Sequence, residues 1–516
     1  MSSIKKLIRR SLQKYVFIIL SAISLSLPIY SLLQGEVGFH TDIARDFLLM
    51  QEAVEKKIML IGPRASGLEG FFHGPLWIYL NLPFYIIGKG HPLAVGIGWV
   101  LINILSLFLI LFFAGKLKMR SVFLPAVVFF LVVFAREINS LFNPHGALLL
   151  LPVYAICLYL YLKSRKELYL MLSFFILGAI VHLQIAAAGP VFLLSFPLII
   201  FFILKYKNLK HIRSFLALFL STANYFIFDL RHNFQLSKAV YKYIYGETNA
   251  IPLDFNTIFN QRLNLLINKG IYIFQQPELN KAVFLLFILT ALYIIFRIKK
   301  KNDSHRLFLL FLYLYIGFYV LSLIHKGWLL GHYYLPFLSF PLFLVVLGTK
   351  VEKLKYIYIL IFWSGILFWS FNNILYLKDL PDKIGQTENS WKYQYKVAKT
   401  VFDDNEQEFG FFIFSPDIFA YQTKAAMNFF MNKNKDKNVK IYEKSKITYL
   451  IIAPPPENQP WINYKGWKKL KVKLEKEPVW RKKIPPAGYE VQKYILSEED
   501  LKIPPDPNIN DWIYFR

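Results

Sequence analysis

The sequence predicts a polytopic α-helical membrane protein with about 11 transmembrane helices, outward-facing amphipathic helices in its loops, and a small C-terminal α/β domain outside the membrane. Three observations predict this class. Of the 516 residues, 55% are hydrophobic and only 18% are charged, whereas soluble proteins average about 25% charged. Long apolar runs recur up to residue 375, and the remaining chain is polar with clustered prolines. Disordered, fibrous and ordinary soluble proteins are thereby excluded.

The apolar runs set the number of spans. A crossing needs about 20 mostly apolar residues, because a helix satisfies its own backbone hydrogen bonds in hydrocarbon. No small-residue cleavage site follows the first run, which favours an uncleaved span over a signal peptide. The predicted spans cover residues 15–33, 92–114, 121–135, 146–162, 168–182, 190–204, 212–229, 282–297, 307–324, 333–348 and 356–374.

The distribution of Lys and Arg predicts the orientation. Basic residues concentrate in the N-terminal segment and in every second connection after it, and such loops remain on the cytoplasmic side. We therefore expect a cytoplasmic N-terminus and an extracytoplasmic segment after residue 375. The net charge of +27 is then explained by topology signals and contacts with membrane lipids, and no nucleic-acid partner is expected. The Lys-, Ile- and Asn-rich composition favours a bacterial plasma (inner) membrane.

Two segments on the predicted outer face contain candidate functional residues. Asp42, Arg45, Asp46 and Leu49 are spaced i, i+3, i+4, i+7, so that they share one face of an amphipathic helix. Two interpretations of this helix are open. It is a structural interfacial helix with a salt-bridged polar face, or it holds a functional carboxylate beside a cation where a lipid-borne substrate can reach it. His73-Gly-Pro-Leu then places a histidine before a helix that begins with proline, and a capped helix with a surface histidine is the alternative.

Other polar side chains lie at the predicted outer ends of spans. They are Arg136, Arg231, His232, His325, Lys326, His332 and Tyr333. By contrast, no Asp, Glu, Lys or Arg lies in the middle of a predicted span. Coupled transporters usually carry ionisable residues near the midplane, so this absence argues against a pump or symporter.

Taken together, these segments resemble the GT-C superfamily of polytopic glycosyltransferases, which use polyprenyl-phosphate sugars. The pattern is closest to families 39 and 83, which include protein O-mannosyltransferases, lipid A aminoarabinose transferases and bacterial lipopolysaccharide galacturonosyltransferases. The resemblance covers roughly residues 1–375. It rests on the Asp42-x-x-Arg helix, the His73-x-Pro re-entry and the segments Arg136–His145, Val181–Gln184, Phe228–Phe234 and His332–Pro336. In two places the chain departs from the family: Ile43 replaces the second acid of an Asp-Glu pair, and Gly74 replaces a proline.

The resemblance implies an inverting transfer of sugar from a polyprenyl-phosphate donor to a lipid, glycan or protein acceptor. It assigns the catalytic carboxylate to Asp42, with Asp46 one turn later as a partial substitute for the missing acid. It assigns binding of the donor phosphate and sugar to Arg45, His73, Arg136, Arg231, His232, His325, Lys326, His332 and Tyr333. The sequence leaves open whether the protein uses a divalent metal cofactor, because no specific ligand spacing is present. The candidate ligands are His73 together with Asp42 or His332.

The chain divides by composition into a GT-C-like transmembrane domain, 1–375, and an extracytoplasmic α/β domain, 376–516. In the second domain we predict strands at 409–414, 447–453 and 488–496 and a helix at 416–431. Three other classes remain as alternatives to a transferase: a transporter or flippase for lipid-linked sugars, an O-antigen polymerase or ligase, and a membrane scaffold. Loss of Asp42 would distinguish them, since a scaffold should tolerate it.

Overall fold

The computed structural model describes residues 2–65, 70–138, 140–245, 253–404, 406–417 and 419–509. The chain forms two compact units. The helical unit comprises Met1–Ile29, Ile58–Leu80 and Gly98–Leu377, and the sheet unit comprises Tyr30–Lys57, Asn81–Ile97 and Lys378–Arg516. The sheet unit thus takes in two segments that precede residue 375, and the domain boundary expected there stays a prediction.

Among the described residues, eight helices are long and apolar enough to cross a membrane. They are Tyr15–Leu33, Pro92–Lys116, Asn143–Ser164, Ile185–Lys205, Pro277–Phe296, Asp303–Ile324, Gly331–Gly348 and Glu352–Lys383. Three shorter apolar helices are Leu76–Ile87, Arg120–Val133 and Glu167–Leu183. The fold class of a polytopic helical membrane protein is confirmed. Ten of the eleven predicted runs coincide with one of these helices, and the re-entry after His73 adds Leu76–Ile87.

The predicted span 212–229 is interrupted. It consists of a 3₁₀ turn, Leu209–Ser214, and two short helices, Phe215–Ser221 and Ala223–Arg231. At the break, the hydroxyls of Ser221 and Thr222 both donate to the carbonyl of Leu218, at 2.9 and 2.8 Å. Ser and Thr side chains that bond to the preceding turn compete with the backbone ladder and bend helices.

The remaining helices of the helical unit are short. Their bounds are Gln235–Ile244, Phe255–Asn264, Gly331–Tyr334 and Ser339–Gly348. The last two belong to one of the candidate spans, in which a 3₁₀ turn, Leu335–Leu338, joins them.

The sheet unit is built on a five-stranded mixed sheet in the order β2-β1-β3-β5-β4. Strand β1 (Glu408–Phe414) is parallel to β2 (Asn438–Ile441) and to β3 (Ile447–Ile452), whereas β5 (Tyr489–Ile495) is antiparallel to β3 and to β4 (Trp480–Ile484). The three predicted strands are confirmed. The two edge strands, β2 and β4, were not predicted, because β2 is only four residues long and β4 contains three consecutive basic residues.

Three helices of the sheet unit bear on the candidate site: Thr41–Lys56, Trp391–Phe402 and Tyr421–Lys433. Helix Thr41–Lys56 packs against helix Tyr421–Lys433. The latter begins five residues after the predicted start, because Asp417 closes a turn in front of it by accepting from Ser415 Oγ at 2.7 Å and from the Ala420 amide at 3.0 Å.

Candidate functional site

Helix Thr41–Lys56 carries the predicted carboxylates on one face, as the spacing requires. Arg45 joins them: its Nη1 donates to Asp42 Oδ1 at 2.7 Å, and its Nη2 donates to Asp46 Oδ1 at 2.9 Å. The exposed fractions of the three side chains differ sharply, at 47% for Asp42, 11% for Arg45 and 1% for Asp46. Asp42 is therefore the carboxylate that a ligand can reach, while Asp46 is a buried anchor for Arg45.

Arg45 is held in its charged form. Burial lowers the pKa of its guanidinium, but Asp46 and Asp42 raise it by more, so that the pKa lies above its ordinary value. The expected salt-bridged polar face is present, and the functional role of this helix stays a prediction. The helix also presents one accessible carboxylate beside a fixed cation.

Polar groups from the C-terminal part of the sheet unit surround the start of this helix. Thr41 Oγ1 donates to Asp417 Oδ2 at 3.3 Å, and Gln422 Nε2 donates to Thr41 Oγ1 at 3.1 Å. Burial and the nearby charge of Asp417 raise the pKa of Glu388. The sequence alone does not indicate these residues, because they are far from Asp42 in the chain and lie in no recognisable motif.

The His73 segment forms a tight pairing with the chain before it. The Gly62 amide donates to the His73 carbonyl at 2.7 Å, and the His73 amide donates to the Pro63 carbonyl at 2.8 Å. A β-carbon on Gly62 would lie 2.4 Å from the Gly74 carbonyl oxygen, so that only glycine permits this approach. Helix Leu76–Ile87 then begins directly after Pro75, as predicted.

Three of the predicted donor-binding residues, His73, His325 and Tyr333, line one cavity of about 330 Å³ in the helical unit. We call it the histidine cavity. Its other polar lining residues are Gln184, Tyr243 and Ser322. Tyr243 Oη lies 2.5 Å from His325 Nδ1. The tertiary structure therefore brings together groups from four separate segments of the sequence.

His332 contacts the residues of the histidine cavity through its backbone carbonyl and its ring. Gln184 Nε2 donates to the His332 carbonyl at 2.8 Å. The His332 ring also packs edge-on against Tyr333, with ring centroids 4.3 Å apart. His332 thus supports Gln184 and Tyr333, while its ring is absent from the cavity lining that the described residues form.

Arg262, which is not among the predicted site residues, stabilises the loop that carries His325. The side chain is 2% exposed. Its Nη2 donates to the carbonyls of Gly327 at 2.7 Å and His325 at 3.1 Å, and its Nε donates to the Ser322 carbonyl at 3.4 Å. Burial lowers the pKa of Arg262. No sequence pattern marks a buried arginine whose hydrogen-bond partners are backbone carbonyls.

Arg136 is engaged by helix Lys355–Lys383. Its Nη2 donates to the Asn372 carbonyl at 2.7 Å, its Nε donates to Asn373 Oδ1 at 3.2 Å, and its guanidinium lies 4.4 Å from the Tyr376 ring centroid. The neighbouring Glu137 lies 3.3 Å from His145 Nε2, and this interaction lowers the pKa of Glu137. These contacts favour a structural role for Arg136.

Arg231, His232 and Lys326 are exposed and are absent from the lining of the histidine cavity. The His232 ring stacks on Phe228 at 3.9 Å, and its Nδ1 lies 2.8 Å from the Phe228 carbonyl. Asp229 accepts from the Leu236 amide at 2.7 Å, so it caps the helix that follows. This segment thus presents the Arg231 guanidinium at the protein surface.

A second cavity in the helical unit has a volume of about 530 Å³ and is mostly apolar. It lies among helices Glu167–Leu183, Ile185–Lys205 and the broken helix pair, and Asp229 and Thr222 contribute polar atoms to it. Within the described residues, His, Cys, Asp and Glu side chains form no group of three or more that could hold a metal ion. The divalent metal stays an open expectation.

Comparison with known proteins bears on the fold. No protein-family model matches the sequence, and no curated protein matches it. Among solved structures, ArnT from Cupriavidus metallidurans bound to undecaprenyl phosphate matches with a TM-score of 0.55, over 94% of this chain and 97% of ArnT. The fold is similar to that of ArnT. Sequence identity is 8%, so the likeness concerns the fold alone.

Proposed function

We propose that this chain is an integral-membrane glycosyltransferase of the GT-C type. It transfers a sugar from a polyprenyl-phosphate donor to a hydroxyl group of a lipid, glycan or protein at the outer face of the membrane. The observation that carries the proposal is the likeness to ArnT over nearly the whole of both chains. ArnT binds undecaprenyl phosphate, and the resemblance of the Asp42 and His73 segments supports the same donor class here.

In the proposed reaction Asp42 is the base. It accepts the proton of the acceptor hydroxyl while that oxygen bonds to the anomeric carbon. The bond between the anomeric carbon and the phosphate oxygen breaks, and the polyprenyl phosphate leaves with the electron pair. A single displacement of this kind inverts the anomeric centre. The 47% exposure of Asp42 and its fixed cationic neighbour Arg45 support this role.

Cationic side chains stabilise the charge that grows on the departing phosphate. Among the predicted residues, Arg231 suits this task best, because it is exposed and its guanidinium can contact two phosphate oxygens. Arg136 suits it less well, since helix Lys355–Lys383 already engages its donors. The apolar cavity of about 530 Å³ fits part of an isoprenoid chain, and Asp229 and Thr222 give it a polar margin.

The deciding experiment is mass spectrometry of the lipids that co-purify with the full-length protein from its native membrane, for the wild type and Arg231→Ala. A polyprenyl-phosphate sugar on the wild type, reduced in the variant, supports the donor assignment and identifies the sugar by mass. Only bulk phospholipid on both proteins would contradict the donor assignment and favour the transporter or scaffold classes.

Asp42→Asn is then tested in cells for loss of a glycan. Asp403→Asn is a matched control in the same unit, because Asp403 is an exposed carboxylate that pairs with Lys399 at 2.5 Å. An Asp42→Asn strain with an unchanged glycan would reject Asp42 as the base.

A further inference from the structure

Gln184 has an unsatisfied amide oxygen in the wall of the histidine cavity. The residue is 1% exposed and lines the cavity. Its Nε2 donates to the His332 carbonyl at 2.8 Å, which fixes the orientation of the amide. Its Oε1 has no hydrogen-bond partner among the described residues. A buried acceptor without a hydrogen-bond partner is unfavourable, so this position favours a ligand that donates a hydrogen bond.

The charge of the lining restricts the ligand further. Among the described residues that line the cavity, none is Asp, Glu, Lys or Arg. Burial and the nearby charge of Arg262 lower the pKa of His325, so its imidazole is neutral at neutral pH. An anionic ligand group would find no Lys or Arg among these described lining residues and would bring only acceptors to the Gln184 oxygen. A cationic group would find no carboxylate there, and burial of an unpaired charge is costly.

Arg262 disfavours a cationic ligand and cannot bind an anionic one directly. Its guanidinium lies behind the loop of His325 and carries a positive charge near the cavity. Its donors are already engaged by the carbonyls of Ser322, His325 and Gly327 and by the side chain of Gln261. The remaining candidates are uncharged groups that carry hydroxyl donors.

The size and lining of the cavity agree with a small ring. Ligand sites start at about 300 Å³ and are mostly apolar, with a few polar groups that fix the orientation. Here the volume is about 330 Å³, with Phe318, Tyr243 and Tyr333 among the lining side chains and Gln184 as the fixed acceptor.

We infer that the histidine cavity binds the sugar of the donor, and that this sugar is uncharged and hydroxylated rather than an aminosugar or a uronic acid. The inference rests on the proposed function for the identity of the donor and goes beyond it in naming the class of sugar. Gln184 is the specificity-determining residue, since its Oε1 accepts a hydrogen bond from a sugar hydroxyl.

The test measures binding to the full-length protein in lipid nanodiscs. Four probes share one farnesyl phosphate: one bare, one carrying a neutral hexose, one carrying an aminosugar and one carrying a uronic acid. We expect the neutral hexose probe to bind about tenfold more tightly than the bare lipid, which corresponds to about one well-made buried hydrogen bond. Tighter binding of the aminosugar or uronic acid probe would overturn the inference.

Variants separate recognition from stability. Gln184→Leu should reduce the affinity for the hexose probe to that for the bare lipid while leaving the affinity for the bare lipid unchanged. Gln184→Glu places a carboxylate in the wall and should shift the preference to the aminosugar probe. The matched control is Asn280→Leu, which removes another buried amide of the helical unit, whose oxygen and nitrogen both bond to the Phe274 backbone at 3.0 and 2.8 Å. An unchanged preference in both Gln184 variants would overturn the inference.

A wrong donor assignment can be distinguished from a wrong cavity assignment. If none of the four lipids binds, the proposed donor is wrong, and methyl glycosides without the lipid are then tested by saturation-transfer NMR. A signal from the neutral methyl hexoside that disappears in Gln184→Leu would support sugar binding in the histidine cavity, although the lipid donor would be rejected. Absence of that signal in the wild type would overturn the cavity assignment as well.

Discussion

The ring of His182 occupies the space that a side chain at position 74 would need. A β-carbon built on Gly74 would lie 1.9 Å from His182 Nδ1. The ring is fixed from its other side, where Nε2 lies 2.7 Å from the Ser221 carbonyl oxygen. The presence of Gly74 where the resembling family has a proline therefore has a steric reason. The observed position of the His182 ring thus requires glycine at position 74.

Gly74→Ala should destabilise the protein by about 1–3 kcal/mol, because an overpacked site forces its neighbours to move. Thermal unfolding in detergent measures the effect. Gly189→Ala is the control, since a β-carbon there meets nothing within 4 Å and alanine favours a helix. Removing the ring with His182→Ala should make the Gly74 substitution less costly in a double-mutant cycle. Strict additivity of the two changes would contradict the steric account.

The two carboxylates of helix Thr41–Lys56 should respond differently to substitution. Asp42→Asn should reduce the rate of sugar transfer by about 10²–10⁴-fold, the range of a general base, with an almost unchanged melting temperature, because half-exposed ion pairs contribute little stability. Asp46→Asn removes a buried partner of Arg45 and should cost about 3 kcal/mol of stability. Rates and melting curves are measured on the same preparations. A stable Asp46→Asn protein, or a fully active Asp42→Asn protein, would reverse these assignments.

Arg262→Met should loosen the loop that carries His325. The substitution leaves the carbonyls of Ser322, His325 and Gly327 without their donor, and each unsatisfied buried acceptor costs about 1–3 kcal/mol. Hydrogen exchange of residues 322–329 should accelerate, and stability should fall. Arg213→Met serves as control, because Arg213 is an exposed arginine that pairs with Glu167 and should contribute little. Equal exchange in the two variants would contradict the stabilising role.

Glu36 should make the stability of the protein decrease as the pH rises. Burial raises the pKa of Glu36 above its ordinary value of 4.5, although Ser390 Oγ and the Gly385 amide donate to its Oε2 at 2.5 and 2.9 Å. The folded state thus holds the proton more tightly than the unfolded state. The stability that Glu36 contributes is complete below pH 4.5 and is lost as the pH rises through the raised pKa.

Glu36→Gln tests this sign, because the amide oxygen can accept the same two hydrogen bonds without ionising. The variant and the wild type should melt alike at low pH. At neutral pH the variant should be the more stable of the two. Ser390→Ala in the Glu36→Gln background shows whether the hydrogen bonds are retained, and it should lower stability at every pH. A wild type that gains stability relative to Glu36→Gln as the pH rises would contradict the direction of the shift.

Local patterns in the sequence were sufficient for much of the fold. Hydropathy located the long helices, since a run of about 20 apolar residues can satisfy its backbone in a membrane only as a helix. The i, i+3, i+4 spacing placed Asp42, Arg45 and Asp46 on one face, because helical periodicity is a property of contiguous residues. At 212–229 hydropathy did not reveal that the apolar run divides into a 3₁₀ turn and two short helices, with the bonds of Ser221 and Thr222 to the preceding turn at the division.

The sequence by itself thus determined the membrane class, the positions of most helices and strands, and a set of candidate polar residues at the ends of spans. Only the tertiary structure decided which of these residues meet. In the folded protein Asp46 is buried and Asp42 is accessible. Arg136 bonds to Asn372, and His73, Gln184 and His325 line one cavity. These outcomes depend on packing between segments far apart in the chain, and neither periodicity nor composition encodes which segments become neighbours.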